Sequence, residues 1–541
     1  MAPLGAALVV TGAKLGLIAA FGSDQPFADQ WAAEGAGVIR SSQMGLWQFQ
    51  HFFAPHGEHT PTIMRIVTAG TTMLNSGQWD SRAEMFVSVG ALALAVLLMG
   101  QIVASALPER WRVLAMVGVA LLFAMPCNKE NYLWGFQTPF VSLITFGLAH
   151  LCGTLRAERI DFSWCIAQVA GCVAIFTVAS GMLSAFVLAG YAGLRLWREP
   201  RSGIGWATLA ANLVLAGLGI WVLTQAFFAF GSAKGLGAFV SAMGYLLAWP
   251  FERPWLAFVL QAPAFVFIWR QRSNWSERPA RMLIGLVIWS WLLAAAFAWG
   301  RGVGPGQIAG RYLDHLTVAL AANFVVLLVT FVQSRGLGLK IFAVFWMGGL
   351  ALGVYEVNEP GRLRGALEAH RNFFARQTAV VSDFLVTNDP AVLERDPGVR
   401  NYLPHLEQTK ALLMDPVMRT ALPGSLAETV SIQIYRQSPA LDPRFRSANF
   451  SRESRAREHI LPGGTTGAVY LSRPIADDLL PVWRFRVSGR VGPGAARLVV
   501  KDAGGQDTAP LDPAFDASDR WKTIHLLRPS GPVRLEIRVP A

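Results

Sequence analysis

The long apolar spans of this chain limit its fold more than any other feature. They lie near 4–22, 84–107, 111–127, 136–153, 163–178, 180–197, 204–228, 255–270, 282–300, 312–333 and 339–357. Backbone facing lipid must satisfy its own N–H and C=O groups, so such spans fold as helices. One crossing takes about twenty residues. The eleven spans predict an α-helical polytopic membrane domain over residues 1–357. A further stretch, 237–250, is shorter, carries several glycines, and reads as re-entrant or interfacial. A mean hydropathy of +0.38 fits this class. So do the 15% charged residues, and the 19 tryptophans and 33 phenylalanines suit interfacial belts. The N-terminus has no basic leader region and no obvious cleavage site, so the first span reads as a retained helix. Lys14 inside it must snorkel or face the protein interior.

The net charge of +12 looks like a nucleic-acid signal, but its distribution points to membrane lipids as partners and not to nucleic acid. Arginine crowds alternate short loops, as the positive-inside rule requires. With the N-terminus inside and 237–250 not crossing, Arg110, Arg156, Arg195, Arg198, Arg201, Arg270, Arg272, Arg278 and Arg281 fall in inside loops. The short outside loops hold Lys129, Lys234, Arg253, Arg301 and Arg311. This topology places the loop 23–83, the segments 126–135, 229–254 and 300–311, and everything after 358 on the non-cytoplasmic side. Cys127, Cys152, Cys165 and Cys172 all lie in or beside spans, so no disulfide framework is expected in the tail.

Composition changes after Asn358. Residues 360–425 read as short helices with turn signals at Asn388-Asp389-Pro390 and Leu422-Pro423-Gly424, within a helical linker region over 358–463. Residues 464–541 alternate apolar and polar positions between Gly, Pro and Asp turns, and predict a small all-β sandwich.

The outside segments carry the residues with chemical use. Phe52-Phe53-Ala54-Pro55-His56-Gly57-Glu58-His59-Thr60-Pro61 puts three ionisable side chains within four positions. A helix that Thr60 can cap and Pro61 can open follows directly. Imidazoles, a carboxylate and the positive end of a helix suit a metal ion, a phosphate or both, and Arg65 adds charge one turn in. A solvated turn is the plain alternative. Asp24 and Asp29 stand just past the first span, where a carboxylate serves as general base or cation ligand, or simply caps a helix. The second outside loop sets Lys129, Glu130, Asn131 and Gln137 beside Tyr132, Trp134 and Phe136. That mixture suits sugar hydroxyls and ring faces, or an interfacial aromatic belt. Arg311, Asp314 and His315 share a helix face by spacing, with Tyr312 beside them. They read as a phosphate site or as a structural ion pair.

Several of these segments fall in a familiar order. Pro26-Phe27-Ala28-Asp29-Gln30-Trp31, Phe53-Ala54-Pro55-His56-Gly57-Glu58-His59, Leu74-Asn75-Ser76-Gly77-Gln78-Trp79-Asp80, Glu130-Asn131-Tyr132-Leu133-Trp134-Gly135-Phe136-Gln137 and Gly310-Arg311-Tyr312 follow one another. Together they resemble a family of bacterial polytopic membrane proteins with a Phe-Ala-Pro-His-Asn-Glu-His-Arg motif, themselves similar to GT-C glycosyltransferases. The resemblance covers most of 1–357. Gly57 and Thr60 stand where that motif has Asn and Arg, and Ala32 where a further aspartate is expected.

The resemblance implies a GT-C-like domain in a bacterial inner membrane, with its C-terminal region periplasmic. It implies sugar transfer from a polyprenyl-phosphate donor to an extracytoplasmic glycan or lipid acceptor. Asp29, or Asp24, matches the acidic position of the first loop as catalytic base, with Glu58 as a further carboxylate. His56 and His59 match the histidine motif and bind the phosphate or, with Asp29, a divalent cation (Mg or Mn), the one cofactor in this reading. Arg311 neutralises the leaving phosphate. The rivals are a transporter or flippase for lipid-linked sugars and a scaffold that only binds glycan. Ionisable clusters at one membrane surface, without an internal repeat, favour the enzyme.

Overall fold

The computed structural model describes residues 1–426, apart from 226–232, 234, 305, 388, 404 and 405, and beyond them only the backbone of short strands. Among the described residues, eight helices are long and apolar enough to cross a membrane. They are Ala2–Phe21, Ser81–Ala106, Gly135–Arg156, Ala179–Arg198, Gly203–Thr224, Arg278–Arg301, Gly310–Gln333 and a run that starts at Leu337. The chain is a multi-pass membrane protein. Three further expected spans form shorter helices, Glu109–Ala124, Phe162–Ile175 and Leu256–Arg270. Pro126 closely follows the first, and the third runs on through Pro263. Beside that proline Ala264 N–H donates to Asn323 Oδ1 at 3.2 Å, and Leu260 O takes the Trp346 Nε1–H at 3.3 Å. The stretch expected not to cross forms Leu236–Ala248, a helix of 13 residues, about 20 Å long.

Two compact units divide the chain differently from the sequence expectation. The first takes Met1–Ser23, Gln48–Val67 and Ser81–Arg371, and the second takes Asp24–Trp47, Thr68–Asp80 and the chain from Asn372. The loop 23–83 is thus shared between units.

In the first unit, Gly310–Gln333 and Gly135–Arg156 are the most enclosed spans, 89% and 83% buried against 28% for Ala2–Phe21. Glycines let helices touch it and its neighbours. Gly118 faces the Phe324 ring and Gly147 the Trp289 ring, with no room for a methyl group. Lys14 faces the interior. Its Nζ donates to Met125 O at 2.6 Å and to Asn128 Oδ1, and lies 4.6 Å above the Tyr132 ring.

In the second unit, a π-helix, Trp31–Arg40, joins a core that includes Trp31, Ile39, Trp79, Phe373, Phe384 and Leu413. Trp79 N–H donates to Ala421 O at 2.7 Å, Gln78 Nε2 to Leu422 O at 3.2 Å, and Arg40 pairs with Asp415. These contacts tie the first loop to the tail. Where short helices were expected from 360, one 28-residue helix, Pro360–Thr387, forms instead. Short helices follow it. Of the two turn signals, that at Asp389 opens one, and Leu422-Pro423-Gly424 follows the end of Pro416–Ala421. Asp389 accepts from Ala391 N–H, and Asp396 from Gly398 and Val399, each with proline next. Beyond Leu426, Val482–Val491 pairs antiparallel with Phe515–Leu527. The expected packing of sheets into a sandwich over 464–541, and the rest of the linker, lie outside the described residues.

Candidate functional site

His56-Gly57-Glu58-His59 forms a tight turn. His56 N–H donates to His59 O at 2.8 Å and His59 N–H to His56 O at 3.1 Å. Gly57 has a φ of +55°, which glycine and asparagine tolerate best. The following helix, Thr62–Leu74, starts later than Thr60 would have set it, and Pro61 O accepts its first bond from Arg65 N–H at 3.2 Å. Its opening residues are engaged within the fold. Thr62 N–H donates to Phe176 O at 3.0 Å, and Thr62 Oγ1 to Phe52 O at 2.9 Å. The Arg65 guanidinium donates to the carbonyls of Phe52 (3.0 Å) and Ala54, and burial pushes its pKa down to about 10. Arg65, expected to meet substrate, instead braces the loop.

Glu58 pairs with Arg301, which ends the helix Arg278–Arg301 and also donates from Nε to Tyr312 Oη at 2.9 Å. His59 Nε2 lies 3.5 Å from the same Glu58 carboxylate, and its Nδ1 accepts from Ala179 N–H at 3.2 Å. Burial, helped by nearby Arg311 and His56, pushes the His59 pKa down to about 3. The ring is neutral, and with Nδ1 accepting, its proton sits on Nε2. Arg311 reaches Glu130 at 3.5 Å. Gly310 leaves that carboxylate its room, since a methyl group there would stand 2.5 Å from Glu130 Oε2. Phe140 is a common floor, its ring 5.8 Å from His59 and 6.0 Å from both Tyr312 and the Arg311 guanidinium. His56 meets Phe136 edge-on at 5.6 Å. The side chains of Glu58, His59, Arg301, Glu130 and Arg311 are between 16% and 28% exposed, so the group is reachable yet partly desolvated. Two guanidinium groups held by carboxylates, that of Arg311 also over the Phe140 ring, can exchange those partners for a phosphate.

A second polar group has a structural task. Asp314 is buried and accepts from Asn128, from Asn131 at 2.7 Å and from Tyr132 at 2.8 Å. Lys14 joins it through Asn128, and Asn131 also donates to Arg311 O at 3.3 Å. Charges at this depth need partners, and here Asp314 and Asn131 tie loops together instead of facing substrate. The Arg311–Asp314 pair that their spacing allowed does not form. Trp134 stacks on Phe136 at 5.6 Å, and both Trp134 and Gln137 are buried. Lys129, Glu130 and Phe136 are the half-exposed members of that loop. His315 is buried beside Phe140 and Phe297, with ring centroids 6.4 Å and 5.3 Å away.

Asp24 and Asp29 belong to the second unit. Asp24 accepts from Ser425 N–H at 3.0 Å, a loop contact. Asp29 follows Ala28, whose φ of +47° is rare for a residue with a β-carbon. Buried Gln30 locks this turn, accepting from Phe27 N–H at 3.1 Å and donating to Glu34 at 2.8 Å. Such strained positions cluster at functional segments. The Asp29 carboxylate is half-exposed and has no ion-pair partner among the described residues.

Among the described residues, no group of three or more His, Cys, Asp and Glu side chains is placed to hold a metal. Neutral His59 has no lone pair to offer, because Nδ1 is engaged and Nε2 carries the proton. The residues present do not fit the divalent cation expected at Asp29, His56 and His59, and no step below uses one. Arg301 carries no motif. Its one signal in the sequence is a charge at the mouth of an apolar span, which is costly unless paired. No protein-family model matches the chain, and no curated protein matches it.

Proposed function

We propose that the chain is a GT-C-like glycosyltransferase whose three shorter apolar helices also cross the bilayer. It moves a sugar from a polyprenyl-phosphate donor to a glycan or lipid acceptor outside the cytoplasm. The reading is carried by two half-buried arginines, Arg301 paired with Glu58 beside neutral His59, and Arg311 paired with Glu130 over the Phe140 ring. A polyprenyl phosphate is an anion on an apolar chain, and this combination of cations and aromatic floor suits it. In the transfer, the acceptor oxygen bonds to the anomeric carbon. The bond from that carbon to the phosphate oxygen breaks, and polyprenyl phosphate leaves with the electron pair. Arg301 and Arg311 offset its charge, and such stabilisation is often the largest catalytic term. The His59 Nε2–H is a neutral donor near the same charge. The acceptor proton passes to a carboxylate. Asp29 is our assignment for that base, on the resemblance alone. A positioned base adds about 10²–10⁴ in rate.

Mass spectrometry of lipid-linked sugars and envelope glycans in a strain lacking the chain tests this. The expected result is loss of one sugar from a glycan with build-up of its polyprenyl-phosphate form. Wild type restores the glycan. Asp29→Asn does not, nor does Arg311→Lys, which keeps the charge and loses the two-pronged donor. Unchanged glycans in the deletion strain would sink the reading.

One observation favours a transporter of the same lipid-linked sugar. Inside the helices His150 meets Ser184 Oγ at 2.9 Å and Gln168 Oε1 at 3.4 Å, and Asn212 donates to Gln168 at 3.3 Å. Transporters keep polar groups at such depths. On that reading Asp29→Asn restores the glycan as well as wild type does.

A further inference from the structure

The helix Arg278–Arg301 finishes at the candidate site and begins, 24 residues away, among three clamped loops. There Arg281 donates to Leu155 O and to Glu158, Glu158 also holds Arg195 at 3.7 Å, and Arg198 lies 5.0 Å above the Trp275 ring. Tyr191 meets the same indole at 5.7 Å. The loops 157–161, 199–202 and 271–277 are thereby held side by side.

Outside that clamp the charge is unbalanced. Arg159, Arg198, Arg201, Arg270, Arg272 and Arg278 are exposed, and none has a carboxylate partner among the described residues. Two of them are laid on indole rings. Arg198 covers Trp275, and Arg272 sits 4.6 Å above Trp269 with Nη1 donating to Trp269 O at 3.0 Å. Trp197, Trp206 and Trp269 are 84%, 57% and 66% exposed on the same rim. Indoles favour the headgroup layer of a bilayer. Guanidinium groups bind phosphate oxygens in pairs and lose water readily. A guanidinium already fixed on an indole has less side-chain freedom to lose on binding.

We infer that this rim binds the phosphates of anionic phospholipids, with Arg198 and Arg272 as its fixed contacts. Zwitterionic lipids offer the same phosphate beside an ammonium group, so the rim selects by net charge. The inference stands apart from the glycosyltransferase reading.

The test uses the full chain in nanodiscs of phosphatidylcholine, with or without phosphatidylglycerol, and reads the thermal midpoint. Phosphatidylglycerol should raise the midpoint by roughly 4 °C, and high salt should reduce that increment. The double variant Arg198→Gln/Arg272→Gln should lose most of it, while Arg198→Lys/Arg272→Lys, which keeps charge without the flat stacking, should retain a part. The increment is compared within each variant, so a shifted baseline leaves the comparison intact. The same increment in the Gln double variant, or none in wild type, overturns the proposal.

Discussion

His59 owes its neutrality chiefly to burial, with Arg311 and His56 nearby adding to it. That has a consequence for stability. Below about pH 6.5 the unfolded chain takes a proton at this position, which the folded chain refuses until about pH 3. Stability should therefore fall as pH drops through that window, by roughly 1–2 kcal/mol between pH 7 and 5 for this group alone. His59→Gln keeps an acceptor for Ala179 N–H and does not titrate. Thermal midpoints at both pH values should show a larger drop for wild type than for the variant, and equal drops would mean that His59 is already protonated. The kinds of residue at this site were readable from sequence, but their partners were not. Glu58 announces a need for a cation, yet Arg65 is nearer in sequence and goes to the Phe52 and Ala54 carbonyls, while Arg301 arrives from a distant helix end. Asp314 shows the reverse case, a charge read as functional that the fold uses for itself.

At the scale of elements, close approach decides what the site looks like. Gly310 admits Glu130 to the start of the helix Leu313–Gln333, since a methyl group there would stand 2.5 Å from Glu130 Oε2 and 2.8 Å from its Cβ. Gly310→Ala should cost about 1–3 kcal/mol from overpacking and break the Glu130–Arg311 pair. In a Glu130→Gly background the obstructing atoms are gone, so the same substitution should cost little. A double-mutant cycle on unfolding free energy reads this coupling, and additive costs would mean that the two residues do not touch. Apolar runs made the helices legible because lipid leaves backbone no other solution. Their exact lengths were less legible. Turn signals mark where a helix starts or stops, but the run from Pro360 spreads one apolar stripe, Leu363, Leu367, Phe374, Val381 and Phe384, thinly among charged residues over 28 helical residues, so its continuity is easily missed. Nothing in an alanine, either, foretells the φ of +47° that sets up Asp29.

For the membrane unit as a whole, the decisive fact is that its two chemical ends lie at opposite ends of the same helices. Arg278–Arg301 carries Arg281 in the loop clamp at its start and Arg301 in the candidate site at its finish. Gly135–Arg156 likewise runs from Phe140 beneath the site to Arg156. Both are long and apolar enough to cross a membrane, and a crossing would set the arginine rim and the candidate site in different aqueous phases. Charge sets the orientation, because loops rich in arginine stay with the cytoplasm. The candidate site is then expected outside, where a polyprenyl-linked donor is the available kind. In a chain freed of Cys127, Cys152, Cys165 and Cys172, Ser273→Cys reports on the arginine rim and Gln307→Cys on the loop before Arg311. An impermeant thiol reagent on intact cells should label position 307 at once, and position 273 only after permeabilisation. The reverse pattern would invert the unit and expose the site to soluble nucleotide-linked donors, which removes the polyprenyl phosphate from the mechanism. Labelling of both positions from outside would mean that Arg278–Arg301 does not cross at all, and the argument from its two ends would fall with it.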